Sequence, residues 1–454
     1  MMDTSINILD SEKINTHITA QNVHDILRKK MLIDGFDFVF DLKKSHGLTI
    51  VDEKTGDEFL DFFSFFASSP IGINHPKINN PEFREELATA AINKPSNSDI
   101  YTVEMAKFVD TLSRVAVPDY FKHLLFIDGG ALAVENGLKV AFDWKVRKNF
   151  IKGYKEERGH HVIHFREAFH GRSGYTMSLT NTDPVKIAYY PKFNWPRIVN
   201  PKIKFPLKEN LDEVINLENK AITEIYAAIK NNLDDIAVII IEPIQGEGGD
   251  NFFRKEFFVK LREIADENEI LLMFDEVQTG IGMTGKMWAH EYFVEPDIMA
   301  FGKKTHICGI MASDRIDDVE ENVFKKSSRI NSTWGGNLTD MVRCRRNLEI
   351  IEEENLVQNA QVMGKYLLNN LEEIQNEYSG YISQARGFGL MCSFNLPSAE
   401  MRKKFLDELY KNRLLILGCG SQSVRFRPTL TITKENIDDG MVKIKNVLHK
   451  LHSL

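Results

Sequence analysis

The run Ile236-Ala237-Val238-Ile239-Ile240-Ile241 constrains the fold more than any other stretch of this chain. It is apolar at every position, so as a strand it needs cover on both faces, the condition of a parallel strand inside an α/β sheet. Similar short apolar runs recur at His123–Ile127, Val162–Phe165, Ile270–Phe274 and Ile298–Phe301, separated by segments with helical spacing. Strands alternating with helices predict an α/β fold, a mostly parallel sheet wrapped by helices. In such sheets the ligand lies beyond the carboxyl ends of the strands. Functional residues are therefore expected at Asp128, Phe169, Glu242, Asp275 and Lys303, which follow the five runs.

On either side of this region the pattern changes. Asn22–Gly35 has helical spacing and a closing glycine, and Leu48–Asp52 with Phe59–Asp61 reads as a small hairpin around Gly56. From Arg346 onward come long helical segments to Glu377, a short strand pattern at Val424–Pro428 and a closing helix, Lys434–Leu451. The expected division is a large domain over 81–345 and a smaller α+β domain over 346–454, to which an N-terminal segment, 1–80, contributes.

With 454 residues, 43% hydrophobic and 27% charged, the chain can bury an internal pocket. A net charge of -8 gives no basic footprint for nucleic acid. No apolar run reaches the about 18 residues of a membrane span. Met1–Ile14 is polar and lacks a signal-peptide core. Cys308, Cys344, Cys392 and Cys419 show no metal or redox spacing, so a reducing, cytoplasmic setting is expected.

Individual motifs are ambiguous. Asp128-Gly129-Gly130-Ala131 opens a helix after a strand, which suits an anion as well as it suits a plain turn. Gly280–Gly285 fits GxGxxG, but Asp275–Gln278 separate it from its strand and no crossover follows, so a dinucleotide site is rejected. Asp275 ends a strand, either as a solvated acid or as a partner that keeps a pyridine nitrogen protonated. Lys303 and Lys304 are equivalent candidates for a Schiff-base lysine on chemistry alone. His160, His161, His164 and His170 crowd together, but strand neighbours face opposite ways and a metal is not expected. Phe62, Phe63, Phe65 and Phe66 either line a substrate channel or, the commoner fate of such a run, pack in the core, and Arg425 and Arg427 on an alternating strand either both face solvent or send one into the site.

Taken together the motifs resemble the class III aminotransferases of fold-type I, which use pyridoxal 5'-phosphate. Gly129-Gly130-Ala131 stands where the family has a Ser-Gly-Thr phosphate loop. Phe169-His170-Gly171-Arg172, Glu242–Gly249, Asp275–Gly280 and Thr333–Asn337 follow in family order, and Pro296-Asp297 leads by family spacing to Lys303. Gly35–Leu42, Phe65–Ser69, Gly129–Asn136, Asn331–Asn337, Gly302–Thr305 and Ser423–Pro428 are most similar to the lysine ε-aminotransferase branch. The last of these is also similar to 4-aminobutyrate aminotransferases.

The resemblance implies a set of roles. Lys303 would bind the cofactor covalently and shuttle the proton, and Asp275 would pair with its ring nitrogen. Gln278 would bond the phenolic oxygen, Phe169 and Val277 would cover the ring faces, and Gly130 and Ala131 would hold the phosphate. Thr333 would reach the phosphate of a neighbouring subunit, making the active unit a homodimer. Arg172, assisted by Asn331, would take the α-carboxylate of L-lysine. Arg425 would take the α-carboxylate of 2-oxoglutarate, with Glu247 covering it while lysine is bound and swinging aside afterwards. The implied reaction is a ping-pong transfer of the ε-amino group of L-lysine to 2-oxoglutarate. Transamination of 4-aminobutyrate or ornithine is the nearest alternative. A decarboxylase, an aminomutase or a non-catalytic pyridoxal-phosphate-binding protein would be a different class on the same fold.

Overall fold

The computed structural model describes residues 17–452, so the polar stretch Met1–Ile14 lies outside the described residues. A hairpin of β1 (Thr49–Val51) and β2 (Glu58–Asp61) forms where the turn signals place it. A seven-stranded sheet follows, built from β3 (Phe121–Ile127), β4 (His161–Phe165), β5 (Arg197–Ile198), β6 (Ile236–Ile241), β7 (Leu271–Asp275), β8 (Ile298–Phe301) and β9 (Cys308–Ser313). Its order is β3-β9-β8-β7-β6-β4-β5. Only β9 runs against its neighbours; β4, β5, β6, β7 and β8 pair in parallel. Every residue of β6 is buried, as a strand apolar on both faces requires.

Helices supply that cover. Gly130–Ile151 connects β3 to β4, Leu207–Asn231 precedes β6 and Lys255–Glu267 connects β6 to β7. Leu207–Asn231 buries Val214, Ala221, Ile225 and Ala228 at helical spacing, which puts one stripe on the sheet. Glu218 falls on the same stripe and is tolerated there because Arg254 meets it with two hydrogen bonds, at 2.9 and 3.1 Å.

Beyond the large sheet lie β10 (Ser383–Phe388), β11 (Met391–Asn395), β12 (Leu414–Leu415), β13 (Leu417–Cys419) and β14 (Ser423–Arg425). Four of them form a sheet ordered β10-β11-β14-β13. The fifth, β12, pairs in parallel with β2, with Leu414 opposite Leu60. The hairpin thus completes its three-stranded sheet with residues from near the far end of the chain.

Three expectations change at this level. The N-terminal helix covers only Val23–Arg28 and buries none of its residues, so little beyond propensity holds it. The long helical segments begin earlier than Arg346, as the helices Leu338–Glu353 and Leu356–Glu377, parted at Asn355, whose φ of 52° is left-handed. The first of these runs straight across position 345. Finally β9, absent from the predicted strands, fills the gap between β3 and β8.

Candidate active site

A cavity of about 750 Å³ opens beyond the carboxyl ends of the parallel strands. Five of the strands deliver portions of its wall. Gly129, Gly130 and Ala131 come after β3, Phe169, His170 and Gly171 after β4, and Glu242 after β6. Asp275, Val277 and Gln278 close β7, and Lys303 follows β8.

The first wall is an anion cradle. The 22-residue helix Gly130–Ile151 starts at the cavity with no side chain capping its first turn. Its free amide N–H groups and its dipole favour a negative group there. Ala131 adds no hydroxyl, so binding falls to the backbone. Gly171, at φ 113°, closes the cradle from the other side; a Cβ there would sit 2.4 Å from Ala131 Cβ.

At the buried end is Asp275, 6% exposed, whose Oδ2 lies 2.8 Å from His170 Nδ1 while Oδ1 accepts the Val277 N–H at 3.1 Å. Glu242 lies nearby, also buried, and accepts N–H bonds from Phe169 at 2.9 Å and Gly246 at 3.3 Å. Burial, and after it the charge of Asp275, raises the Glu242 carboxyl well above the usual range. Glu242 anchors the Phe169 loop through the first of these bonds.

Lys303 sits in a short 3-10 turn at φ 54°, its side chain reaching the cavity rather than bulk solvent. Burial first, then the charges of Arg425 and Arg427, bring its amine down to about 8, against the opposing pull of Asp275 and Glu247. Lys304 is turned away. It is 1% exposed and donates to the Gln278 carbonyl at 2.7 Å. The two lysines differ in direction: Lys303 lines the cavity and Lys304 does not.

A smaller cavity adjoins, lined by Phe62, Phe63, Phe66, Glu247, Gln278, Lys303, Leu417, Arg425 and Arg427. Glu247 Oε2 accepts from Arg425 at 2.9 Å, and its Oε1 accepts from Lys186 at 2.5 Å. Burial raises the Glu247 carboxyl, but Arg425 and Lys186 outweigh it and hold it below the usual range. Arg427 pairs with Asp250 through both terminal nitrogens and donates to Gln278 Oε1 at 3.1 and 2.9 Å.

The reading in which Arg425 and Arg427 both face solvent is therefore corrected, and so is the one that brings only Arg425 into the site. They are 4% and 2% exposed. Alternation did put both on one face, but that face is the site, where half-buried Glu247 compensates Arg425 and buried Asp250 compensates Arg427. The phenylalanine run is split. Phe62 and Phe63 are buried, whereas Phe65 and Phe66 ride a left-handed turn, Ser64–Ala67, and are 37% and 54% exposed.

Not every expected residue is brought in. Arg172 is exposed next to Gly171 and lines neither cavity. Asn331 and Thr333 are also exposed and line neither; the Thr333 carbonyl accepts from Ser96 Oγ. The four crowded histidines separate: His161 pairs with Asp235, His170 with Asp275, and buried His164 is held neutral. No group of three or more candidate metal ligands forms among the described residues. Two contributors had no sequence signal of their own, the His170 contact to Asp275 and Lys186, whereas Glu242 stands where its place after a strand predicted.

The donor set suits pyridoxal 5'-phosphate. A backbone cradle meets an anion, a buried carboxylate meets a pyridine nitrogen, an amine of lowered basicity meets an aldehyde, and Phe169 and Val277 supply apolar wall. Sequence comparison agrees. A model of the class-III aminotransferase family matches residues 34–448. L-lysine-epsilon aminotransferase of Mycobacterium bovis is 50% identical over 434 residues, covering 95% of this chain and 96% of that protein. The same-named protein of Amycolatopsis lactamdurans is 48% identical over 425 residues, covering 93% and 94%. Among solved structures, lysine aminotransferase from M. tuberculosis in the internal aldimine form superposes with a TM-score of 0.93 at 49% identity, covering 95% and 99%. The chain belongs to the class-III aminotransferases, enzymes of fold-type I that work with pyridoxal 5'-phosphate.

Proposed function

We propose that this enzyme moves the ε-amino group of L-lysine to 2-oxoglutarate, yielding 2-aminoadipate 6-semialdehyde and L-glutamate in a ping-pong cycle. The observation that carries the reading is the Glu247–Arg425 pair at 2.9 Å in a wall shared with Lys303. Similarity near 50% to lysine-epsilon aminotransferases over almost the whole chain supports it.

When bound, pyridoxal phosphate supplies an electrophilic carbon and a ring that draws electrons from the reacting carbon. The chain's residues do the rest. Lys303 Nζ would hold the cofactor at rest and, once the incoming amine has released it, would take the proton from the substrate carbon and return it, a task for which an amine near 8 is suited. Asp275, oriented by His170, would hold a proton on the ring nitrogen. Gly130 and Ala131 would bind the phosphate, Phe169 and Val277 would cover the ring, and Gln278 would bond its phenolic oxygen.

The two substrates pose a charge problem. Lysine presents an ε-amino group near Lys303 and keeps its α-carboxylate far off, where Arg172, with Asn331, receives it. A naked Arg425 beside the lysine chain would be an uncompensated cation, and Glu247 neutralises it. For 2-oxoglutarate, Arg172 takes the distal carboxylate while Glu247 moves and frees Arg425 for the other.

The active unit in this reading is a homodimer with shared sites. Thr333 and Asn331, exposed and outside their own chain's cavities, then complete those of the partner. The proposed domain division is 81–345 for cofactor binding and 346–454 with 1–80 for the smaller domain, bridged by the helix Leu338–Glu353. The proposed compartment is the cytoplasm, where four unpaired, buried cysteines suit a reducing medium.

The test is an amino-donor screen with 2-oxoglutarate and identification of both products. L-lysine should give the most glutamate, together with the 6-semialdehyde. A large excess of glutamate from 4-aminobutyrate or ornithine would overturn the substrate. Carbon dioxide release, or turnover without a keto acid, would overturn the reaction class.

A further inference from the structure

Glu247 has two cationic partners, one for each oxygen. Arg425 Nη1 meets Oε2 at 2.9 Å and Lys186 Nζ meets Oε1 at 2.5 Å. The two cations belong to different spaces. Arg425 lines the small cavity with Lys303, whereas Lys186 lines a polar cavity of about 740 Å³ that Arg425 does not reach, and Glu247 lines both. Lys186 is positioned firmly. It ends the 3-10 turn Pro184–Lys186, which Asp183 caps by accepting the Val185 N–H at 3.0 Å, and its ammonium lies 5.5 Å from the Phe169 ring centre.

A charge count shows what this second cation does. With Arg425 covered, two cations share one carboxylate. When a keto acid brings its own carboxylate to Arg425, two cations meet two carboxylates, and each has one partner. Without Lys186, Glu247 and the incoming carboxylate would compete for a single guanidinium, leaving one anion unpaired in a half-buried place, which is costly.

We propose that Lys186 is a positioning residue for substrate alternation: it receives Glu247 when that carboxylate leaves Arg425, and so sets how readily the site accepts the keto acid. The proposal rests on the two-substrate reading given above, and the test separates the two.

The experiment follows each half-reaction of the holoenzyme by cofactor absorbance in stopped flow, with L-lysine alone and then with 2-oxoglutarate on the aminated enzyme. For Lys186→Met, the second-order rate constant with 2-oxoglutarate should fall about tenfold or more while that with lysine stays within about twofold. Lys186→Arg should restore the keto-acid step. In a Glu247→Gln background, where no carboxylate needs rehousing, Lys186→Met should have no further effect. Equal loss in both half-reactions, no loss in either, or a loss that persists in the Glu247→Gln background overturns the role of Lys186. Wild-type enzyme that performs neither half-reaction overturns the underlying reading, and this proposal with it.

Discussion

His170 Nδ1 lies 2.8 Å from Asp275 Oδ2, and both side chains are buried at the end of the cavity that Lys303 lines. His170 Nε2 has no partner, so the contact to Asp275 is what its ring polarity serves. Holding the side chain in one orientation matters because the proposed task of Asp275 is a single directed bond to the cofactor's ring nitrogen. His170→Phe should lower turnover at saturating cofactor on the order of tenfold to a hundredfold, as the loss of an orienting partner does elsewhere. His170→Asn, which keeps a donor, should recover part of it. Wild-type turnover in the phenylalanine variant would remove the role.

The two adjacent lysines predict opposite outcomes. Lys303→Ala should abolish the long-wavelength absorbance of the bound cofactor and nearly all turnover. Lys304→Met should keep both but lose about 1–3 kcal/mol of stability, since the Gln278 carbonyl loses its donor. Borohydride reduction of the wild-type holoenzyme followed by peptide mapping should label Lys303. A label on Lys304 would reverse the assignment.

An amine lowered to about 8 has a pH signature. Cofactor capture by the apo-protein should rise with pH through about 8 and level above it. At pH 7 roughly a tenth of the side chains carry the free amine, against fewer than about one in a thousand for an ordinary lysine. The stability sign follows from proton counting. Between about 8 and 10.5 the unfolded chain binds more protons here, so the penalty of this lysine is full below 8 and fades as pH rises towards 10.5. A capture profile still climbing steeply at pH 10 would contradict the burial of this group.

Asp61 offers a test away from the chemistry. Its Oδ1 accepts the N–H groups of Phe63 and Ser64, each at 2.8 Å, while Oδ2 is buried without a partner. Burial raises its carboxyl to about 6 despite those bonds. The folded state therefore binds more protons than the unfolded chain between 3.8 and 6, and this group costs stability as pH rises through that window. Asp61→Asn should stabilise by about 1–3 kcal/mol above pH 6 and by little below pH 4. Thermal melts at pH 4 and pH 7.5 decide it; equal Tm values at pH 7.5 would end the claim.

Much of the large sheet was legible from patterning alone. Ile236–Ile241 and Ile298–Phe301 coincide with β6 and β8, because an all-apolar run between polar breakers leaves little freedom in its bounds. β9 escaped because Cys308-Gly309-Ile310-Met311-Ala312-Ser313 is rich in small residues and returns antiparallel with no crossover helix to announce it. In the site, residues that follow strands were found by topology and family spacing. Lys186 was not, since its partner Glu247 lies 61 positions away and only the folded backbone joins them. Arg427 was misjudged because period-two alternation tells which residues share a face but not what that face meets.

The pairing of β2 with β12 has a consequence for how the enzyme comes into being. Ser64 Oγ donates to the Arg427 carbonyl, 363 positions later, and Phe62 N–H donates to Leu415. The aromatic turn that walls the substrate side of Lys303 thus waits for nearly the last strand to be made. On the ribosome, a nascent chain shorter than about this span has its cofactor cradle but no finished pocket. Catalytic competence therefore arrives late in synthesis, and shortening the polypeptide from its carboxyl end dismantles a structure begun near the other.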